Sequence, residues 1–65
     1  MYFIELTRRT DSEPILVNFR FVVGILPHPG GSDLLILEGD DSEWVYVKES
    51  YSTIKEMIDW RQRNA

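Results

Sequence analysis

Trp44-Val45-Tyr46-Val47-Lys48-Glu49-Ser50-Tyr51-Ser52-Thr53-Ile54-Lys55-Glu56-Met57-Ile58-Asp59-Trp60-Arg61 changes its hydrophobic period partway along. Up to Lys48 the side chains alternate. Val45 and Val47 fall on one side, and Trp44, Tyr46 and Lys48 on the other, which is the period of a half-buried strand. From Tyr51 the pattern recurs at Tyr51, Ile54, Met57, Ile58 and Arg61, which is helical spacing. Ser50 is placed to cap the helix, its hydroxyl accepting an early helical N–H. Glu49 lies near the positive end of the helix dipole, and Arg61 and Arg63 near the negative end. Lys55 with Asp59, and Asp59 with Arg63, have the spacing of helical ion pairs.

Upstream the period is two. Tyr2, Ile4 and Leu6 share one face of a first strand, with Phe3, Glu5 and Thr7 opposite. Asp11-Ser12-Glu13-Pro14 has turn chemistry, and Pro14 suits the start of a second strand running through Ile15 to Asn18. Arg20 to Leu26 reads as a third strand, with Phe21, Val23 and Ile25 on one face and Val22 and Leu26 on the other. Two apolar faces suit a central strand or one that meets another chain, and Gly24 suits a bulge or a close backbone approach. Pro27-His28-Pro29-Gly30-Gly31-Ser32 reads as a loop. Leu34 to Glu38 reads as a fourth strand, Gly39-Asp40-Asp41-Ser42 as a hairpin connection, and Trp44 to Lys48 as the fifth strand. The expectation is an α+β fold in one domain, residues 1–65. About five short antiparallel strands carry one C-terminal helix on one face, and barrel-like closure is left open.

A chain of 65 residues buries only about 60% of the surface its unfolded form exposes. There is no Cys, so neither disulfides nor thiolate metal sites reinforce so thin a core, and self-association into a homo-oligomer is expected. Eleven acidic against seven basic residues give a net charge of −4. The basic residues are scattered, which disfavours a nucleic-acid backbone as partner. No apolar run approaches the ~20 residues of a membrane span. Met1-Tyr2-Phe3-Ile4-Glu5-Leu6 lacks the basic region of a signal peptide. The expected location is the cytoplasm, without membrane insertion.

Catalysis requires a convergent polar set. The single histidine, His28, has no fellow ligand or nucleophile at a recognisable spacing, and reads as an exposed loop residue rather than a proton carrier. Glu38, Asp40, Asp41 and Glu43 lack the alternating oxygens of a calcium loop and read as a solvated hairpin tip. Pro29-Gly30-Gly31-Ser32 lacks the lysine and helix that follow a phosphate cradle. The reading is a non-enzyme without metal or cofactor.

The aromatic residues are more informative. Phe3, Trp44 and Tyr46 lie opposite the more uniformly apolar strand positions, and Phe21 is a second choice. Aromatics at such positions anchor interfaces or complete a two-sided core. The candidate partner-binding residues are therefore Phe3, Phe21, Trp44 and Tyr46, and the partner is a protein of unspecified identity.

Ile4-Glu5-Leu6-Thr7, Pro14-Ile15-Leu16-Val17-Asn18, Ile25, Leu34-Leu35-Ile36-Leu37, and Val47-Lys48-Glu49-Ser50 leading to Ile54 and Ile58 resemble the FlbD family of small bacterial flagellar and swarming-motility proteins. The resemblance spans most of the chain. It implies a cytoplasmic protein supporting flagellar motor output, with no catalytic residues. Val23 to Gly31 and the acidic tip at Asp40 and Asp41 depart from the family pattern. Two other functions stay open: a phage or mobile-element protein that binds and regulates a host protein, and a small nucleic-acid-binding β-domain using aromatics beside Arg8, Arg9 and Arg20.

Overall fold

A computed structural model describes residues 2–64. Five strands precede one helix: β1 (Phe3–Thr7), β2 (Pro14–Asn18), β3 (Val22–His28), β4 (Gly31–Glu38), β5 (Asp41–Val47) and α1 (Tyr51–Asn64). All pairings are antiparallel, in a two-stranded sheet β1-β2 and a three-stranded sheet β3-β4-β5. The α+β class and the lone C-terminal helix are as the periodicities predict. The sheets do not close into a barrel. They join at one corner, where Arg8 bridges Val47, Lys48 N–H donates to Thr7 O at 2.9 Å, and Arg9 N–H donates to Tyr46 O at 2.9 Å.

The core is Ile4, Leu6, Val17, Leu34, Val47 and Ile54, with Tyr2, Ile15, Val22, Ile25, Ile36, Val45, Met57 and Ile58 packed around it. β1, β2, β4 and β5 contribute alternate residues, and α1 contributes its apolar stripe through the fully buried Ile54. The Ser50 cap forms as expected, Oγ accepting Thr53 N–H at 3.2 Å. Tyr51, although in register with the stripe, stays exposed at the helix start. The spacings Lys55–Asp59 and Asp59–Arg63 do not close into ion pairs among the described residues, where the pairs formed are Arg8–Asp11 and Arg9–Asp33. Exposed helical pairs contribute little in any case.

Three local readings are corrected. First, β3 is an edge strand and β4 the central one. Its register shifts between Val22 and Gly24, Val22 pairing with Ile36 and Gly24 with Leu35. The extra residue, Val23, breaks the alternation, so Val22 and Ile25 both turn toward the core while Val23 and Leu26 are exposed. Second, residues 27–32 are mostly strand. Pro27 pairs with Ser32 and His28 with Gly31, leaving only Pro29 and Gly30 in the turn. An edge strand tolerates Pro27 because its missing N–H breaks no interior ladder. Third, the β4–β5 turn is only Gly39-Asp40, and Asp41 and Ser42 belong to β5. Gly39 has φ 64°, the left-handed value required at the first position of such a turn.

Glu49 does not serve chiefly as a dipole partner of α1. Its carboxylate accepts the Thr7 N–H at 2.9 and 3.1 Å and the Thr7 hydroxyl at 2.9 Å. Buried Ser32 donates from Oγ to Glu49 O at 2.8 Å. Gly31 makes this crowding possible, since a Cβ there would sit 2.0 Å from Val47 O. Its φ of 149° is also one that side chains rarely adopt. No helix among the described residues is long and apolar enough to cross a membrane.

Gly31→Ala is expected to cost about 3 kcal/mol or more, since the obstructing atom is backbone and cannot swing aside. Gly39→Ala, with open space around it, is expected to cost only the left-handed penalty of ~1–2 kcal/mol. Urea unfolding midpoints of the two variants measure the difference.

Candidate interaction surfaces

The four aromatic candidates are all exposed at 38–44%, but they do not form one patch. Trp44 and Tyr46 point away from the core on β5, because Val45 and Val47 take the inward positions. Their cross-strand neighbours on β4 are Leu35 and Asp33, which in turn face Gly24 and Leu26 on β3. Leu37, opposite Ser42, continues the same face. The outer face of β3-β4-β5 thus carries Leu26, Leu35, Leu37, Trp44 and Tyr46, with exposed Val23 at its rim. Gly24 leaves Leu35 without a covering neighbour on that side. Among the described residues no element packs across this face.

One end of the face is closed by a polar clamp. The Arg9 guanidinium lies 5.5 Å from the Tyr46 ring centroid and donates to Asp33 at 2.9 Å and to Ser32 O at 2.9 Å. This pair is about one-fifth exposed on each side, so it is partly sheltered from solvent screening. Arg9 is thereby spent on holding Tyr46 and β4.

Phe3 and Phe21 lie elsewhere. Both line a cleft of about 620 Å³ on the open side between the two sheets, together with Ile15, Val17, Ile36 and Val45. Glu38, Asp41 and Glu43 stand on one wall of it, and Arg8 also reaches it. Arg8 is already engaged, donating to Asp11 at 2.7 and 2.9 Å. That hydrogen bond, with a second from the Glu13 N–H, holds the Asp11 carboxyl below its ordinary range, and Asp11 raises the guanidinium in return.

A second depression, about 460 Å³, lies between β3 and α1 beside Tyr2, Phe19, Tyr51 and Ile58. Tyr2 stacks on Phe19 at 5.9 Å, and the Arg61 guanidinium sits 4.9 Å from its ring centroid. The Tyr2 hydroxyl is buried without a hydrogen-bond partner among the described residues. Trp60, 65% exposed on α1, faces a further groove with Phe3 and Met57. Its helical position lies off the apolar stripe, and that offset was the signal in the sequence.

His28 is absorbed locally, its Nδ1 accepting the Gly30 N–H at 3.2 Å. Among the described residues no group of three or more His, Asp or Glu is placed to hold a metal ion. Compared with known proteins, the chain matches no family model, no curated protein and no solved structure at a significant level.

Two outcomes follow. Tyr2→Phe removes an unsatisfied hydroxyl while keeping the ring, so it is expected to raise stability by up to ~1 kcal/mol in urea unfolding. In an NMR pH titration the Asp11 carboxyl is expected to show its midpoint below that of an ordinary aspartate, and Arg8→Gln to return it upward. Because the folded value is the lower one, the pair's stabilisation is present above the ordinary aspartate range and fades as pH falls through the folded value.

Proposed function

We propose that this chain is a non-catalytic protein-interaction module that docks a partner protein through the outer face of β3-β4-β5. The observation that carries the reading is the apolar composition of that face. Leu26, Leu37, Trp44 and Tyr46 are among the most exposed large apolar side chains of the molecule, and β4 presents Leu35 between them. A solvated sheet face ordinarily alternates apolar-in with polar-out. Here five outward positions, Leu26, Leu35, Leu37, Trp44 and Tyr46, are apolar, with Asp33 and Ser42 polar among them, and exposed apolar surface of this kind marks an interaction site. Trp44 and Tyr46 are residue types enriched at interface hot spots.

The resemblance to FlbD proteins makes the flagellar or swarming apparatus of a bacterial cytoplasm the proposed context. The alternative context is a phage or mobile element whose product regulates a host protein. The acidic balance supports it, since it would steer the chain toward a basic target surface. Flagellar genes beside the coding sequence favour the first context and phage genes the second. A nucleic-acid partner has less support, because Arg8 and Arg9 are engaged by Asp11 and Asp33.

The test is capture of partners from the native host by cross-linking, comparing the natural chain with Trp44→Ala and Tyr46→Ala. A hot-spot truncation costs ~2 kcal/mol or more, about thirtyfold in affinity, so either variant is expected to lose the partner while keeping its fold. Retention of every partner by both variants removes the outer face as the docking surface. Sedimentation of the same proteins shows whether the partner is a second copy.

A further inference from the structure

The open side between the sheets has the makings of a strand-addition site, separate from the outer face. In β1-β2 the ladder is bracketed by Phe19 N–H to Tyr2 O and Arg8 N–H to Glu13 O, both 2.8 Å. Antiparallel pairing uses the backbone groups of alternate residues. Ile15 and Val17 therefore direct theirs at β1, and Leu16 directs its N–H and C=O outward, to the side where β2 has no neighbour among the described residues. Ile15, Leu16, Val17 and Asn18 all line the same cleft. Consecutive strand residues point to opposite faces, so one cleft meets all four only along the strand's edge.

β2 and β3, the two outer strands that take no part in the corner, are not equivalent. β3 carries a bulge and Pro27, both of which obstruct pairing with an added strand. β2 runs in unbroken register from Asn18 to Pro14. Past Pro14 it has no charge and no bulge, and Leu16 is 67% exposed.

The opposite wall specifies the occupant. On the inward positions of β4 and β5, Leu34 pairs with Val45, Ile36 with Glu43, and Glu38 with Asp41. The inner face thus passes from apolar to acidic within two residue pairs. Like charges directly opposite each other are destabilising. None of the three carboxylates has a cationic partner among the described residues, and Arg8 is held by Asp11. A second copy pairing β2 to β2 would bring another chain of net charge −4 toward these carboxylates.

We propose that this cleft binds a basic, extended segment of another protein. The segment would add as a strand to the β2 edge at Leu16. Apolar side chains would enter between Val17 and Ile36, and Lys or Arg side chains would reach Glu38, Asp41 and Glu43. Main-chain pairing supplies affinity in this mode and the alternate side chains supply selectivity. A volume of about 620 Å³ suits a short peptide rather than a folded domain. The site extends the interaction-module reading to a second surface and does not depend on the outer face.

The experiment uses the full chain, isotope-labelled, with three capped eight-residue probes: alternating Val and Lys, alternating Val and Glu, and Val-Lys with every second backbone nitrogen methylated. The Val-Lys probe is expected to shift and protect the Leu16 amide. The acidic probe and the methylated probe, which cannot pair as a strand, are expected to leave it unchanged. The double variant Glu38→Lys, Asp41→Lys is expected to weaken Val-Lys binding about tenfold or more, and the milder Glu43→Gln to weaken it less, with amide spectra away from the cleft unaltered. The proposal is overturned if Val-Lys leaves Leu16 unmoved, if the acidic probe binds equally, or if Leu16 becomes protected with rising protein concentration alone. Binding reported instead by the Trp44 indole also overturns it, while leaving the outer-face reading intact.

Discussion

Everything in this small fold depends on the corner where residues 7–9 cross residues 46–49. Each sheet alone is too small to bury its apolar side, since isolated hairpins are marginal in water. At the corner the backbone of β1 is fastened to the end of β5, and Glu49 closes on Thr7 with three hydrogen bonds. Arg9 crosses to Ser32, Asp33 and Val47. Hydrogen bonds to charged groups are stronger than those between neutral ones, and these are partly shielded from water. The corner turns two partial layers into one enclosure, into which Leu6, Leu34, Val47 and Ile54 are completely withdrawn.

The same corner explains the openings. Fastening the sheets at one end lets α1 cover the inner side there, and the other end, toward the Gly39-Asp40 turn, stays apart. Carboxylates occupy inward-pointing positions on the open end, where they keep their water. Further toward the corner the same row holds Leu34, Val45 and Val47, so the chemistry along one face of β4 and β5 follows the distance from the fastening point.

The parts of the fold legible in the sequence are those whose signal is local. The change of period at Ser50 marks α1 because a cap and a 3.6-residue stripe lie within a few residues of each other. The alternation of Trp44 and Tyr46 against Val45 and Val47 identifies the outward aromatics without any knowledge of neighbours. The misread parts are set by tertiary context. Val23 looks like a member of its row, and only pairing with β4 shows it to be surplus. Pro27 and Gly31 look like loop residues, yet an edge position accommodates the first and a close backbone approach requires the second. Phe3 separates from Trp44 because the chain forms two sheets rather than one, Phe21 lies just ahead of β3 and lines the inner cleft, and no residue pattern announces which strand edges remain unpaired.

The fastening at the corner joins residues 42 positions apart in the case of Thr7 and Glu49. That distance has a bearing on biosynthesis. As the nascent chain leaves the ribosome, Ile4, Leu6 and Val17 emerge well before Leu34, Val47 and Ile54, the groups that will cover them. Contacts of such long range form late, and uncovered apolar surface invites association in the meantime. Emergence of α1, rather than any earlier point in translation, is therefore when the N-terminal hairpin acquires its shelter.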